Sequence, residues 1–195
     1  MKVDSDFLRS ALSAEQRDLL AQLLREEGIQ PPDADTIPRR VTNDALPLSS
    51  QQQRLWLLEQ LTPGTSVHNV PMSLRLLGVL NVVALERAFN EIIRRHETLR
   101  TSFSTLESHA IQVIADEITL KLNVNDLSEL SAPDREARAL KLACEETEQP
   151  FDLTRGPLIR ASLLKLAATE HLLLITMHHI VSDGWSLGVF MRELG

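Results

Sequence analysis

The sequence predicts an α+β fold in which helices flank a mixed or antiparallel sheet. Segments whose apolar residues recur at helical spacing are intermixed with segments whose apolar residues alternate, so helices and strands should share one core. The last two predicted strands are joined by the short segment 167–170, which is a hairpin connection and argues against a regular parallel sheet. The chain has 195 residues, 43% of them hydrophobic, which is enough to build such a core.

The first predicted element is an amphipathic helix that precedes a linker. Residues 13–16 have the spacing of a capping box, and Gly28 is a C-terminal stop signal. Between them, four leucines recur at helical spacing: Leu19, Leu20, Leu23 and Leu24. Residues 1–28 are therefore predicted to form a segment that either docks on another protein or packs on its own domain. Residues 29–46, which contain several prolines and few apolar side chains, are predicted to be a linker, and 47–195 to be the main body.

In the main body, helical and alternating patterns follow one another. Helices are predicted at 49–61, 82–96, 134–149 and 186–194. Strands are predicted at 70–77, 100–105, 110–115, 118–124, 158–166 and 171–177. Asn81 is a plausible cap for the second helix, Pro150 ends the third, and a turn is expected near Ser108.

Composition narrows the classes of protein to consider. The net charge is -7 and no face rich in lysine and arginine emerges, so a nucleic-acid partner is not predicted. The single cysteine, Cys144, cannot form an internal disulfide framework and is typical of a reducing compartment. The first ten residues lack the apolar region of a signal peptide and no apolar run approaches the length of a membrane span, so a cytoplasmic protein without a membrane partner is expected.

The segment MHHIVSDGWS at 177–186 carries the most chemistry in the chain. The strand before it is apolar without alternation and should be buried on both faces, so the two histidines stand where a buried strand ends. Histidine exchanges protons near neutral pH. Because neighbouring strand residues point to opposite sides, only one of His178 and His179 can face a given cleft, and the other should be structural.

The turn after the histidines adds an acid, a glycine and a helix start. Asp183 could orient an imidazole or pair with a distant arginine, and the residues alone do not decide between these roles. Gly184 would let a reacting group approach the backbone, and a helix starting near Ser186 offers N-terminal donors. No metal site is predicted, because adjacent strand histidines diverge and no spaced set of further ligands accompanies them.

Two further clusters contain charged or polar residues. In the segment 94–101, Arg94 fits a solvated helix C-terminus, whereas Arg100 starts a strand and could be drawn inward to a carboxylate. In the segment 49–56, the polar residues and the tryptophan fit helix capping and core packing.

Together, three segments resemble the first three core motifs of the condensation domains of nonribosomal peptide synthetases, in the same order and at similar spacing. They are SSQQQRLWLL at 49–58, RHETLRTSF at 95–103 and MHHIVSDGWS at 177–186. The likeness runs from about Leu46 to the end of the chain, with one departure at Gln51, where the family usually has alanine. It implies a chloramphenicol acetyltransferase-like lobe, the N-terminal one of a V-shaped pair. The later family motifs have no counterpart, so the C-terminal lobe is expected to be absent from this chain.

The resemblance also implies roles. His179 would face the tunnel between the lobes and act as general base or as positioning group, while His178 would be structural. Asp183 would pair with Arg100 to brace the loop, and Gly184 would admit the thioester or the pantetheine arm. Trp185 and Ser186 could line the tunnel.

In the family, the amine of an acceptor aminoacyl group attacks a donor thioester. Both substrates arrive on the 4'-phosphopantetheine of upstream and downstream carrier domains, so no cofactor bound by the chain itself is expected. The segments around the histidines favour condensation over the cyclisation and epimerisation variants, with an L-residue donor preferred. Two alternatives stay open: an acyltransferase of the same superfamily that uses coenzyme A or a polyketide carrier, and a non-catalytic subdomain with a docking helix. The isolated chain is expected to be inactive.

Overall fold

The computed structural model describes Ser13, Leu19, Gln22, Leu23 and residues 45–195. The chain divides into two compact units, Met1–Asn43 and Asp44–Gly195. In the first unit, Leu19, Gln22 and Leu23 are helical. The remainder of the predicted N-terminal helix, and the predicted linker up to residue 44, lie outside the described residues.

The second unit alternates helices and strands, as the sequence predicts. Its strands are β1 (Leu46–Pro47), β2 (Asn69–Leu77), β3 (Thr101–Leu106), β4 (His109–Ile114), β5 (Asn123–Asp126), β6 (Ile159–Ala167) and β7 (Glu170–His178). Its helices are α1 (Ser50–Leu61), α2 (Val82–Arg95), α3 (Ala132–Glu148) and α4 (Gly184–Leu194), with a short 3-10 helix at Glu97–Arg100. The α+β class and the predicted β6–β7 hairpin are confirmed. No helix in the described part of the chain is both long and apolar enough to cross a membrane.

One predicted strand, 118–124, is wrong over most of its length, since β5 begins only at Asn123. The backbone N–H of Leu120 donates to Asn90 Oδ1 at 2.8 Å, and that of Leu122 donates to Glu86 Oε2 at 2.9 Å. Both leucines are buried. The two leucines therefore alternate because they pack under α2. Polar side chains of α2 accept the hydrogen bonds from their N–H groups, which a neighbouring strand would otherwise accept.

The strands form two sheets. The smaller has the order β1-β4-β3, and the larger has the order β2-β7-β6-β5, with β5 parallel to β6 and the other pairs antiparallel. Strand β7 is flanked by β2 and β6, and side chains on both of its faces are buried, which explains its unbroken apolar run. The larger sheet is thus mixed, and its central strand ends at the first of the two histidines.

Apolar clusters pack against the larger sheet and around the segment that follows β7. One cluster includes Phe89 of α2 and Phe190 of α4, whose ring centroids are 5.7 Å apart. A second cluster joins Phe103 of β3 to Ile180 and Val181, which follow β7 directly. The segment after β7 is therefore anchored in the core by its own apolar side chains.

Candidate active site

Residues 179–183 connect β7 to α4 and are called here the histidine loop. The carbonyl of His178 accepts hydrogen bonds from the Val181 N–H and from the Ser182 hydroxyl, both at 3.1 Å. Ile180 and Val181 are buried against Phe103. The loop is therefore a tight turn that is held by hydrogen bonds at its start and by apolar packing in its middle.

His178 is 1% exposed and is committed to this turn. Its Nδ1 accepts a hydrogen bond from the Ile180 N–H at 3.1 Å, so in the neutral imidazole the proton lies on Nε2. Burial first, and then the neighbouring His68 and His179, lower the pKa of His178 from 6.5 to about 4. His178 is consequently a neutral, structural histidine at physiological pH.

The depressed pKa of His178 predicts how stability depends on pH. As the pH falls, the unfolded chain takes up a proton near 6.5 while the folded chain resists until about 4. The free energy of unfolding should therefore be retained above pH 6.5 and decrease between 6.5 and 4, by roughly 3 kcal/mol from this residue. Urea unfolding at several pH values measures the decrease.

The matched control is His178→Asn, because the amide oxygen can still accept the Ile180 N–H while the titrating group is gone. The pH dependence of the unfolding free energy should be shallower in this variant. Equal slopes in the two proteins would contradict a buried neutral His178.

His179 faces the opposite way and is exposed. Its Nδ1 lies 2.6 Å from the carbonyl oxygen of Ser182, and since a carbonyl can only accept, Nδ1 carries the proton. The backbone N–H of His179 donates to the carbonyl of His68 at 2.9 Å. The ring is thereby oriented with the lone pair on Nε2, which has no partner among the described residues.

His179 lines a cleft of about 710 Å³. The cleft is bounded by α1, the histidine loop and the start of α4, and its lining includes Arg54, His68, Thr98, Gln112, Ser182 and Ser186. A smaller apolar cavity of about 210 Å³ adjoins the loop and is lined by Ile92, Leu99, Met177, Trp185 and Phe190 among others. A polar cleft that contains the His179 ring therefore lies beside an apolar recess.

Helix α1 touches the loop through Gln52. Ser49 and Gln52 form a capping box at the start of α1, which confirms the capping interpretation of this segment. The Gln52 amide also donates to the Ile180 carbonyl at 3.4 Å. The polar start of α1 is thus both a helix cap and a support for the histidine loop.

Asp183 occupies a different position from the one expected. It is the N-cap of α4: its Oδ1 accepts the Ser186 N–H at 2.8 Å, and the Ser186 hydroxyl accepts the Asp183 N–H at 2.7 Å. Helix α4 accordingly begins at Gly184, two residues before the predicted start. The backbone hydrogen bond from Ser186 is the main cause that lowers the pKa of the exposed Asp183 carboxyl.

The expected pair between Asp183 and Arg100 is wrong for this structure. The Arg100 guanidinium donates to the Ala115 carbonyl and lies 3.6 Å from the Glu97 carboxylate. Within residues 45–195 no ion pair joins Arg100 to Asp183. The reason is local: Asp183 and Ser186 bind one another at the start of α4, while the Ala115 carbonyl and the Glu97 carboxylate engage the two terminal nitrogens of Arg100.

The N-cap role of Asp183 predicts a small effect for one substitution and a larger effect for another. Asp183→Asn should leave the melting temperature nearly unchanged because asparagine caps helices as well as aspartate does. Asp183→Ala should lower the melting temperature because the Ser186 N–H loses its acceptor. Thermal unfolding followed by circular dichroism measures both, and a marked loss in Asp183→Asn would instead indicate a charge-dependent partner.

The remaining predicted residues cluster near the loop. Trp185 is 79% exposed and Ser186 borders both cavities. A Cβ placed on Gly184 would meet no atom within 4 Å among the described residues, so nothing in this part of the chain demands glycine there. Close approach of a reactant at Gly184 stays a prediction.

The sequence interpretation does not identify His68 or Ser182 as site residues. Ser182 could have been predicted, because a serine shortly after the end of a strand can donate a hydrogen bond to a carbonyl of that strand. His68 could not. It lies in the connection between α1 and β2 and reaches the loop because its neighbour Asn69 pairs with His178.

Comparison with known proteins yields one family and a consistent set of relatives. The family model described as Condensation domain matches residues 42–195. Phosphinothricin tripeptide synthetase PhsC of Streptomyces viridochromogenes is 44% identical over 186 residues, covering 95% of this chain and 17% of that protein. Malpibaldin synthetase of Mortierella alpina is 44% identical over 161 residues, covering 82% of this chain and 3% of that protein.

The similar solved structures are also condensation domains. The starter condensation domain of rhizomide synthetase RzmA matches with a TM-score of 0.71 and 29% identity, covering 77% of this chain and 36% of that chain. The first condensation domain of the CDA synthetase matches with a TM-score of 0.71 and 26% identity, covering 78% of this chain and 40% of that chain. The chain therefore spans well under half of the solved chains and a small part of the synthetases.

Proposed function

The chain belongs to the condensation domain family, and from this premise we propose that it supplies the histidine-bearing half of a site that forms peptide bonds on a nonribosomal peptide synthetase. Its fold is a chloramphenicol acetyltransferase-like lobe, as the motifs predicted. The observation that carries the proposal is the orientation of His179: Nδ1 is bound to the Ser182 carbonyl, and His179 lines the cleft with the Nε2 lone pair unused.

In the proposed reaction, the amine nitrogen of an acceptor aminoacyl group attacks the carbonyl carbon of a donor thioester. The tetrahedral intermediate collapses as the C–S bond breaks, leaving an amide and the thiol of the donor's pantetheine arm. Nε2 of His179 accepts a hydrogen bond from the attacking amine and can take the proton that nitrogen loses, which then neutralises the departing thiolate.

Two roles for His179 are compatible with this arrangement. A free α-amine has a pKa of about 8, so a sizeable neutral fraction exists near neutral pH and full deprotonation by the enzyme is not essential. Orientation of the amine by one fixed acceptor can then supply much of the acceleration. The Ser182 carbonyl serves either role, because it stabilises positive charge on the ring and fixes the ring plane.

The partners follow from the proposed chemistry. Donor and acceptor arrive on the 4'-phosphopantetheine of carrier domains, and a second lobe closes the cleft that this lobe leaves open. Because the solved condensation domain chains are more than twice as long as the part matched here, the 195-residue chain alone should not hold two carriers in register or exclude water.

The test uses a two-lobed condensation domain that contains this chain, with donor and acceptor carriers loaded separately. We expect a dipeptidyl thioester on the acceptor carrier, measured by intact mass, and none with the isolated 195-residue chain. The same acyl group is offered as a coenzyme A thioester, and an alcohol is offered in place of the amine. Transfer that requires either of these substitutes would refute condensation and favour the alternative acyltransferase.

A further inference from the structure

A buried polar cluster lies directly behind the histidine loop. It consists of Glu59 near the end of α1, His68 before β2 and His178 at the end of β7. One carboxylate oxygen and one ring nitrogen from each histidine lie within 4.8 Å of one another. Glu59 is 7% exposed, and within residues 45–195 no hydrogen-bond partner exists for Glu59 Oε2, His68 Nδ1 or His178 Nε2. Buried polar atoms without partners are uncommon, and three that converge call for an explanation.

Each member of the cluster makes another hydrogen bond, and the two histidines bind the backbone of the histidine loop. Glu59 Oε1 accepts the Gly64 N–H at 3.1 Å, so one oxygen is engaged and Oε2 is left over. The His68 carbonyl holds the His179 N–H, and the rings of His68 and His178 are 5.9 Å apart. His178 Nδ1 holds the Ile180 N–H. The cluster therefore includes the residue before His179 and binds the backbone N–H groups of His179 and Ile180.

Two histidines and a carboxylate could in principle bind a metal ion, but the tautomer of His178 argues against it. A metal needs the lone pair of Nε2. The lone pair of the neutral ring is already used at Nδ1 by the Ile180 N–H, so Nε2 carries the proton. The cluster thus presents an N–H donor and a carboxylate acceptor, which suit a hydrogen bond.

We propose that Glu59 is a positioning residue for His179: through one bridging water its Oε2 accepts the Nε2–H of His178, and so fixes the ring that holds the histidine loop. A water at about 2.8 Å from each of two atoms can bridge separations of this size. The neutral ring then links the carboxylate on one side to the Ile180 N–H on the other. This inference rests on the proposed role of His179, but its first test does not depend on activity.

The discriminating substitution is Glu59→Gln. The Gly64 N–H binds Oε1 of the carboxylate and the proposed contact uses Oε2, whereas a carboxamide presents an acceptor oxygen at only one of these two positions and an NH₂ donor at the other, so glutamine can serve only one of them. Glu148→Gln is the matched control, because Glu148 is an exposed glutamate at the end of α3. Glu59→Asp keeps both carboxylate oxygens on a shorter side chain, so it should retain part of the protection of the His178 Nε2–H. It is the variant to use if Glu59→Gln does not fold.

The readout is the imidazole ¹H–¹⁵N spectrum of the ¹⁵N-histidine-labelled 195-residue chain. In Glu59→Gln the His178 Nε2–H should shift and should exchange with water about tenfold faster or more, with smaller changes at the His179 ring. The control should match the unsubstituted protein. In a two-lobed domain, amide formation should fall roughly tenfold in Glu59→Gln through misplacement of the histidine loop.

Two results would overturn the inference. One is an unchanged His178 Nε2–H in Glu59→Gln. The other is stoichiometric binding of Zn²⁺ added alone, abolished by Glu59→Gln, since the metal would then replace the proton on Nε2. If instead the spectra behave as expected but His179→Ala retains full activity, the proposed function fails while the link between Glu59 and His178 stands.

Discussion

Replacing His179 with alanine in a two-lobed condensation domain that contains this chain should lower the single-turnover rate of amide formation by about 10²- to 10⁴-fold. The ring is held by the Ser182 carbonyl and the backbone by the His68 carbonyl, so the Nε2 lone pair has a fixed place in the cleft. Alanine removes that acceptor without disturbing the core, because His179 is exposed. The loss should be greatest with weakly nucleophilic acceptor amines, whose attack depends most on proton acceptance or orientation by Nε2.

The control is His109→Ala, which removes another exposed histidine, at the turn between β3 and β4. That variant should keep the unsubstituted rate. If His179→Ala also kept it with a slow acceptor, neither a base nor a positioning role for His179 could stand.

The second large effect is expected from Phe103→Ala, which should lower the free energy of unfolding by about 3–5 kcal/mol. Phe103 is 0% exposed and its ring centroid is 6.4 Å from that of Trp56. It belongs to the cluster that contains Ile180 and Val181, so the cavity would open beneath the histidine loop. Urea unfolding followed by circular dichroism measures the stability, and tryptophan fluorescence in a Trp185→Phe background reports on Trp56 in the same cluster.

Phe89→Ala provides the comparison, because Phe89 is equally buried but packs in the cluster under α2 and α4. Both substitutions should destabilise by similar amounts, whereas only Phe103→Ala should also shift the His179 ring signals. Equal shifts in both variants would mean that the loop is not specifically supported by the Phe103 cluster.

The sequence predicts the fold well where the spacing of apolar residues arises only from the burial of one face of a helix or strand. Met72 and Leu74 alternate because β2 has one face on the core, and the helical pattern of α2 buries Phe89. Leu120 and Leu122 also alternate, but side chains of α2 bind their backbone. Periodicity reports burial, and it does not report which group accepts a hydrogen bond.

The site is predicted less completely. That His178 and His179 face opposite sides follows from their place at the end of a buried strand, and the family resemblance assigns the working role to His179. Asp183 is a different case, because the same carboxylate can pair with an arginine or cap a helix, and only the three-dimensional positions of Ser186 and Arg100 choose between these. Glu59 and His68 could not be found, since they reach His178 through tertiary packing of separate segments.

The two adjacent histidines have different roles, one structural and one facing the cleft, and their rings carry the proton on different nitrogens. Imidazole ¹⁵N shifts and long-range ¹H–¹⁵N couplings, recorded near pH 8 on the ¹⁵N-histidine-labelled chain, measure this directly. His178 should carry its proton on Nε2, as its bond from Ile180 requires, and His179 should carry it on Nδ1, as its bond to Ser182 requires. Finding the proton on Nε2 of His179, or the same tautomer in both rings, would contradict the account.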